Sequence, residues 1–350
     1  MHTRIAVIDG DNLDEDVIDY GARLIRAGEL VAFPTETVYG LGANALDGRA
    51  VYKIFEAKGR PADNPLIVHI SNKEQLTELT TGVGDIGLKL MDAFWPGPLT
   101  IVVRKSRLVP DVVTAGLDTV AVRMPRHPVA LSLIRSAGVP IAAPSANISG
   151  SPSPTTANHV ARDLSGRIHL ILDGGPCKVG VESTVLDITG TLPVLLRPGG
   201  ITVEMLEQVV GQVEVDPGVV RPVQDQPVKS PGMKYRHYSP KARMVIVEGG
   251  LRDIVKKITS LADAYRSQGM RVGILATQQT YSQYKSYDNV IILGDREHPD
   301  TIAESLFSAL RQLDEERVDI ILAEGITREG VGLAIMNRMD RAAAFSIIRV

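Results

Sequence analysis

The sequence predicts two domains of different class: a mixed α+β domain, then a small α/β domain on a parallel sheet. Three observations carry this. The chain has 350 residues, enough for two cores. Up to about residue 210 many short apolar runs alternate with few helical ones, whereas from Met244 onward apolar strands and helices alternate regularly. Between the two regimes Pro217, Gly218, Pro222, Pro227, Pro231, Gly232 and Pro240 argue against regular structure. The expected division is residues 1–212, a connector over 213–241, and 242–350.

Composition narrows the function classes. Apolar residues make up 44% and charged residues 23%, ordinary for a globular chain. A net charge of −3 argues against a general polyanion binder, so any nucleic-acid contact must be a local patch. The single cysteine, Cys177, excludes an intrachain disulfide and leaves no basis for a cysteine metal site. No run approaches the roughly 20 apolar residues of a membrane span, and the N-terminus lacks a signal pattern. A cytoplasmic protein is expected.

In chain order, Ile5–Ile8 is a short strand. Asp14–Ala27 has helical spacing at Val17, Ile18, Leu24 and Ile25 and ends at Gly28. Leu30–Phe33 is a strand running into Pro34-Thr35-Glu36-Thr37-Val38-Tyr39-Gly40-Leu41-Gly42, a loop of hydroxyls, a carboxylate and glycines. Such loops hold sites, though Thr35 or Thr37 capping backbone is an equal reading. Ala50–Ala57 is a helix. Lys58-Gly59-Arg60-Pro61 through Asn64-Pro65 follows, two cations and an amide on a proline-stiffened loop. Unpaired buried charges are costly, so Lys58 and Arg60 must be solvated, paired or facing an anion; alone, the stretch reads as a surface turn.

Leu66–Ile70 is a strand containing His69, a residue more often satisfied in a core than used as a ligand. Ser71–Leu79 and Leu88–Phe94 read as helices. Gly82-Val83-Gly84-Asp85-Ile86-Gly87 matches a dinucleotide fingerprint, but no strand precedes it. Leu99–Val103 and Thr119–Pro125 are strands, the second ending near Arg123; Arg104, Lys105 and Arg107 form a solvated basic edge. Pro128–Ala137 is a helix opened by proline. Val139–Ala143 is a strand opening into Pro144-Ser145-Ala146-Asn147 through Ser153, rich in small donors. Ile168–Leu172 is another strand, Ser183 stands at the start of the next, and Val194–Leu196 leads to Arg197 on a turn. The connector's end, Ser230 to Pro240, packs Tyr235, His237 and Tyr238 among cations, which suits stacking on a nucleotide. In the last region strands begin at Met244, Val272, Val290 and Ile320, with helices over Asp253–Gln268 and Ile302–Glu316. Thr301 and Glu304 form a capping box for the latter helix. With neither a Walker motif nor a dinucleotide fingerprint, this domain is assigned no chemistry.

Cations, hydroxyls and amides without a nucleophile–base pattern suit phosphoryl or nucleotidyl transfer by positioning and charge neutralisation. At these residues the sequence resembles the YrdC-type threonylcarbamoyl-AMP synthases. The motifs are Pro34 to Leu41, Lys58-Gly59-Arg60-Pro61 through Leu66, Trp95-Pro96-Gly97-Pro98-Leu99-Thr100, Arg123-Met124-Pro125, Pro144-Ser145-Ala146-Asn147 and Glu182-Ser183-Thr184-Val185. The connector and last region resemble the longer, two-domain branch, so the resemblance covers nearly the whole chain. It implies a YrdC-like mixed sheet followed by a Rossmann-like domain. It also implies synthesis of threonylcarbamoyl-AMP from L-threonine, bicarbonate and ATP. The product would pass to a transferase that modifies ANN-decoding tRNAs, with tRNA as a transient contact. By the same resemblance, Thr35, Thr37, His69, Arg123, Ala143 and Ser183 would hold threonine. Lys58, Arg60, Asn64, Thr119, Ser145, Asn147, Ser153 and Arg197 would hold ATP, with Lys58 and Arg60 as catalytic cations. Tyr235, His237 and Tyr238 would close over the nucleotide. Mg²⁺ is expected to arrive on the phosphates, since no carboxylate cage is visible. Two competing readings are an RNA-binding module and a carbamoyl transferase using another carbamoyl donor.

Overall fold

The computed structural model describes residues 1–220 and 238–350. They form two compact units, residues 1–149 with 153–220, and residues 150–152 with 238–350.

The first unit is built on β1 (Arg4–Val7), β2 (Val31–Phe33), β3 (Gly40–Asn44), β4 (Ile67–His69), β5 (Leu99–Arg104), β6 (Thr119–Arg123), β7 (Ile141–Ala142), β8 (Leu170–Asp173), β9 (Thr184–Asp187), β10 (Val194–Arg197) and β11 (Glu214–Val215). Among the described residues these give one mixed sheet of order β1-β8-β2-β3-β7-β4-β6-β5-β9-β10-β11. Parallel pairs such as β4–β6 and β5–β9 sit beside antiparallel ones such as β5–β6 and β9–β10.

The helix Glu15–Arg26 follows an Asp14 cap that accepts from Val17 N, with acids in its first turn and arginines in its last, matching the helix dipole. It packs on the helix Pro128–Ala137. Ile18, Ile25, Phe33, Leu133, Ile134 and Leu170 form the shared core, each effectively sealed from water. Burying such side chains contributes on the order of 2 kcal/mol apiece before entropy is counted. The helix Gly48–Lys58 opens on an Asp47 cap and closes on Gly59 at φ 60°. That left-handed cap suits glycine, and it fixes Lys58 as the last helical residue, where the dipole favours a cation.

The second unit has β12 (Arg243–Glu248), β13 (Val272–Ala276), β14 (Asn289–Ile292), β15 (Ile320–Glu324) and β16 (Ile347–Arg349), all parallel in the order β14-β13-β15-β12-β16. Helices Leu251–Ser267, Pro299–Glu315 and Val331–Ala342 connect them. Both expected fold classes are observed. Among the described residues, no helix is long and apolar enough to cross a membrane.

Several local expectations are corrected. The stretch 213–219 belongs to the first unit: β11 pairs with β10, and Asp216 caps a short turn at Pro217–Val219. Only Leu76–Leu79 of the expected helix after Ser71 is helical. The loop expected over residues 34–42 gives way to β3 from Gly40. The Thr301–Glu304 capping box does not form. The helix starts three residues earlier than expected, at Pro299, and Thr301 Oγ1 instead donates to His298 O and accepts from Asp295 N. The helix Val331–Ala342 and β16 were not expected at all. That helix buries Asn337, Arg338 and Asp340 along with its apolar residues, which erases the amphipathic pattern that marks a helix in sequence.

Candidate active site

Register builds the centre of the site. His69 lies opposite Arg123 across β4–β6, and Arg123 opposite Thr100 across β6–β5. Thr100 lies opposite Val185 across β5–β9, and Val185 opposite Arg197 across β9–β10. Directly opposed residues present their side chains on the same face, and Ser183, two residues before Val185, shares it. Five polar side chains thus line one face across neighbouring strands, all buried.

They are joined by hydrogen bonds. Arg197 donates from Nη2 to Ser183 Oγ at 3.1 Å and from Nε to Ser183 O at 3.1 Å. Ser183 Oγ meets Thr100 Oγ1 at 2.8 Å. Gly199 lets this turn close: a Cβ there would lie 2.3 Å from Thr184 N and 2.6 Å from Glu182 O. Arg123 donates from Nε to Gly97 O at 3.2 Å and from Nη1 to Thr37 Oγ1 at 2.9 Å. Its Nη2 stands 2.8 Å from Glu36 Oε1, a charge contact between atoms that are not aligned as a hydrogen bond.

The loop after β2 aims at this centre. Thr35 Oγ1 donates to Val38 O at 2.7 Å and accepts from the backbone of Thr37 and Val38. The two hydroxyls meet at 2.8 Å, a contact in which either can donate. Thr35 supports the turn, while Thr37 is bonded to Arg123.

The same loop reaches Lys58. Tyr39 O accepts from Ala146 N, Pro144 O accepts from Leu41 N, and Gly40 bridges Ser145. Lys58, only 2% exposed, donates from Nζ to Ser145 O and to Asn147 O at 2.6 Å. Ser145 Oγ donates to Asn147 Oδ1 at 2.5 Å. Three elements remote in sequence, at 58, 145–147 and 34–41, are so locked together. Ser153 Oγ donates to the Glu182 carboxylate, next to Ser183. Ala143 pairs by its N–H with Ile67 O, and its Cβ limits the space above Gly40.

Buried polar atoms without a partner mark where a ligand could satisfy the protein. Both amide atoms of Asn64 and His69 Nδ1 are of this kind. Arg60 Nη2 donates to Asn64 O at 3.3 Å, which ties the two together. Thr119 is buried at the start of β6, four residues from Arg123, away from the central row. Tyr238 is stacked on Phe307 in the second unit, ring centroids 5.4 Å apart, with the Arg338 guanidinium over its ring. Tyr235 and His237 lie outside the described residues. Sequence reasoning did not assign Glu36, Thr100 or Glu182. Their one signal was membership of the polar motifs around Thr37, Leu99 and Ser183.

Burial, and then the nearby Arg123 guanidinium, push the His69 imidazole down to about 3. An unfolded imidazole takes up a proton below about 6.5, whereas the native one stays neutral to about 3. Native stability therefore falls as pH drops through that window, by about 1.4 kcal/mol per pH unit. Urea titrations from neutral pH to about pH 4 should show this slope, and His69→Gln should flatten it; an unchanged slope in the variant contradicts the assignment.

Buried strand-end cations and donors define a site suited to holding anionic substrates. Residues 23–199 match the Sua5/YciO/YrdC family model, described as telomere recombination. Residues 201–344 match the model of the threonylcarbamoyl-AMP synthase C-terminal domain. The chain is 52% identical to a threonylcarbamoyl-AMP synthase of Pyrococcus abyssi, over 97% of this chain and 98% of that one. It is likewise 52% identical to one of Bacillus subtilis, over 99% and 98%. The crystal structure of P. abyssi Sua5 complexed with L-threonine superposes with a TM-score of 0.94 at 51% identity, covering 99% of this chain and 100% of that one. The chain belongs to the threonylcarbamoyl-AMP synthase family, in its two-domain Sua5 branch.

Proposed function

We propose that this protein makes L-threonylcarbamoyl-AMP from L-threonine, bicarbonate and ATP, releasing pyrophosphate and water. The observation that carries the reading is the buried polar cluster in which Lys58 binds Ser145 O, Arg123 binds Thr37, and Thr100, Ser183 and Arg197 are joined by hydrogen bonds beside Arg123 on the neighbouring strand. It supports an amino-acid subsite next to an anion subsite.

In this reading Arg123 and Ser183 hold the threonine carboxylate, with Thr37, His69 and Ala143 around the rest of the molecule and Thr35 bracing Thr37. Arg123 Nη2 supports this: it meets Glu36 by charge but makes no hydrogen bond, and a substrate carboxylate offers it one. Lys58, Arg60, Asn64, Thr119, Ser145, Asn147, Ser153 and Arg197 serve ATP, and the connector with Tyr235, His237 and Tyr238 closes over it. The cations and neutral donors present suit phosphate oxygens rather than a bare metal, so Mg²⁺ would ride on the triphosphate, where it neutralises charge.

The neutral threonine amine attacks the bicarbonate carbon, water leaves, and a carbamate remains. A carbamate oxygen then attacks the α-phosphorus as the bond to the β-phosphate bridge breaks and pyrophosphate departs. Two anions must meet, and Lys58, Arg60 and Arg197 offset their repulsion. The product would feed the transferase that places threonylcarbamoyl on adenosine in ANN-decoding tRNAs.

The test is pyrophosphate release. It is expected only when L-threonine, bicarbonate and ATP are all present. Release without threonine overturns the reading. Turnover with carbamoyl phosphate in place of bicarbonate points to a different carbamoyl transferase, and steeply salt-sensitive tRNA binding without turnover to an RNA-binding module.

A further inference from the structure

Thr100 is fully buried, and its hydroxyl meets Ser183 Oγ at 2.8 Å. It lies directly opposite Arg123 on the neighbouring strand, on the same face. A serine oxygen has two lone pairs and one hydrogen. One lone pair of Ser183 Oγ is taken by Arg197 Nη2 at 3.1 Å. If Thr100 donates to the other, the oxygen is saturated as an acceptor and its own hydrogen is free to point elsewhere. An acceptor such as a carboxylate beside Arg123 is what that hydrogen then requires.

We propose that Thr100 is a positioning residue for the amino-acid substrate: together with Arg197 it fills both lone pairs of Ser183 Oγ, making the Ser183 hydroxyl an obligate donor to the substrate carboxylate. The inference rests on the threonine reading above. It also explains why a fully buried strand position carries a hydroxyl where valine would pack with nearly the same shape.

The experiment is calorimetric titration of L-threonine, and separately of a non-hydrolysable ATP analogue, into wild type, Thr100→Val and Thr100→Ser. Thr100→Val removes the hydroxyl and should raise the threonine dissociation constant about tenfold, the order expected when a bond to a charged group loses its orientation. Affinity for the ATP analogue should stay within about twofold, and Thr100→Ser should restore threonine affinity to within about threefold. Wild-type threonine affinity in Thr100→Val overturns the proposal, as does an equal loss in Thr100→Ser or an equal loss for both ligands. Wild-type protein that binds no threonine overturns the synthase reading itself, so the two failures are distinguishable. Thr100→Ser, which keeps the hydroxyl, remains informative if the valine variant unfolds: it must then bind like wild type, and weak binding by folded Thr100→Ser counts against the role.

Discussion

Replacing Arg123 with alanine is expected to abolish threonine binding and to destabilise the protein by about 3–5 kcal/mol. Arg123 is 3% exposed and holds three neighbours at once: Gly97 O, Thr37 Oγ1 and, by charge, Glu36. Removing it strands the Glu36 carboxylate, whose side chain is 13% exposed, without a counter-charge. The cost is therefore that of an orphaned buried charge as much as that of lost bonds. Adding Glu36→Gln to Arg123→Ala removes the stranded charge and should return about 2 kcal/mol, measured by denaturant unfolding. Threonine binding should not return, because the cation that meets its carboxylate is still missing. A double variant that recovers binding would show that Arg123 serves structure alone.

Lys58→Ala is expected to lower the rate of pyrophosphate release by about 10²–10³-fold while changing threonine affinity far less. Lys58 is held at a helix C-terminus by Gly59 and grips the Ser145 and Asn147 carbonyls. It thus does two things: it places positive charge where phosphates would sit and sets the conformation of the donor-rich loop. Arginine should not rescue it, since a planar fork cannot replace a compact ammonium in a pocket closed to solvent. Single-turnover measurement of pyrophosphate separates this from a binding defect; more than a tenth of wild-type rate in Lys58→Ala would contradict the role.

These expectations depend on sequence signals that were readable to different degrees. Apolar strands ending in polar Gly/Pro loops were visible, because burial on both faces writes a continuous apolar run, as in Ile101–Val103 and Val272–Leu275. Pro128–Ala137 was visible to the residue, since proline opens it and Gly138 closes it in the left-handed conformation. An element of two residues such as β11 carries too little pattern to read. The site divided similarly. Lys58, Arg123 and Arg197 stood out as cations on stiff or strand-terminal positions. Glu36 and Thr100 did not, because what makes them informative is a partner remote in sequence that the fold brings to 2.8 Å in each case. Thr301 misled because a capping sequence is only local, and the Asp295–His298 turn recruited its hydroxyl first.

The most direct measurement follows the carbon atom. Wild-type protein incubated with ATP, L-threonine and ¹³C-bicarbonate, then analysed by mass spectrometry, should yield a threonylcarbamoyl adenylate heavier by that label. An adenylate without the label, or AMP and pyrophosphate formed equally well when threonine is omitted, would contradict the account of a buried cation network that joins an amino acid to a nucleotide through bicarbonate.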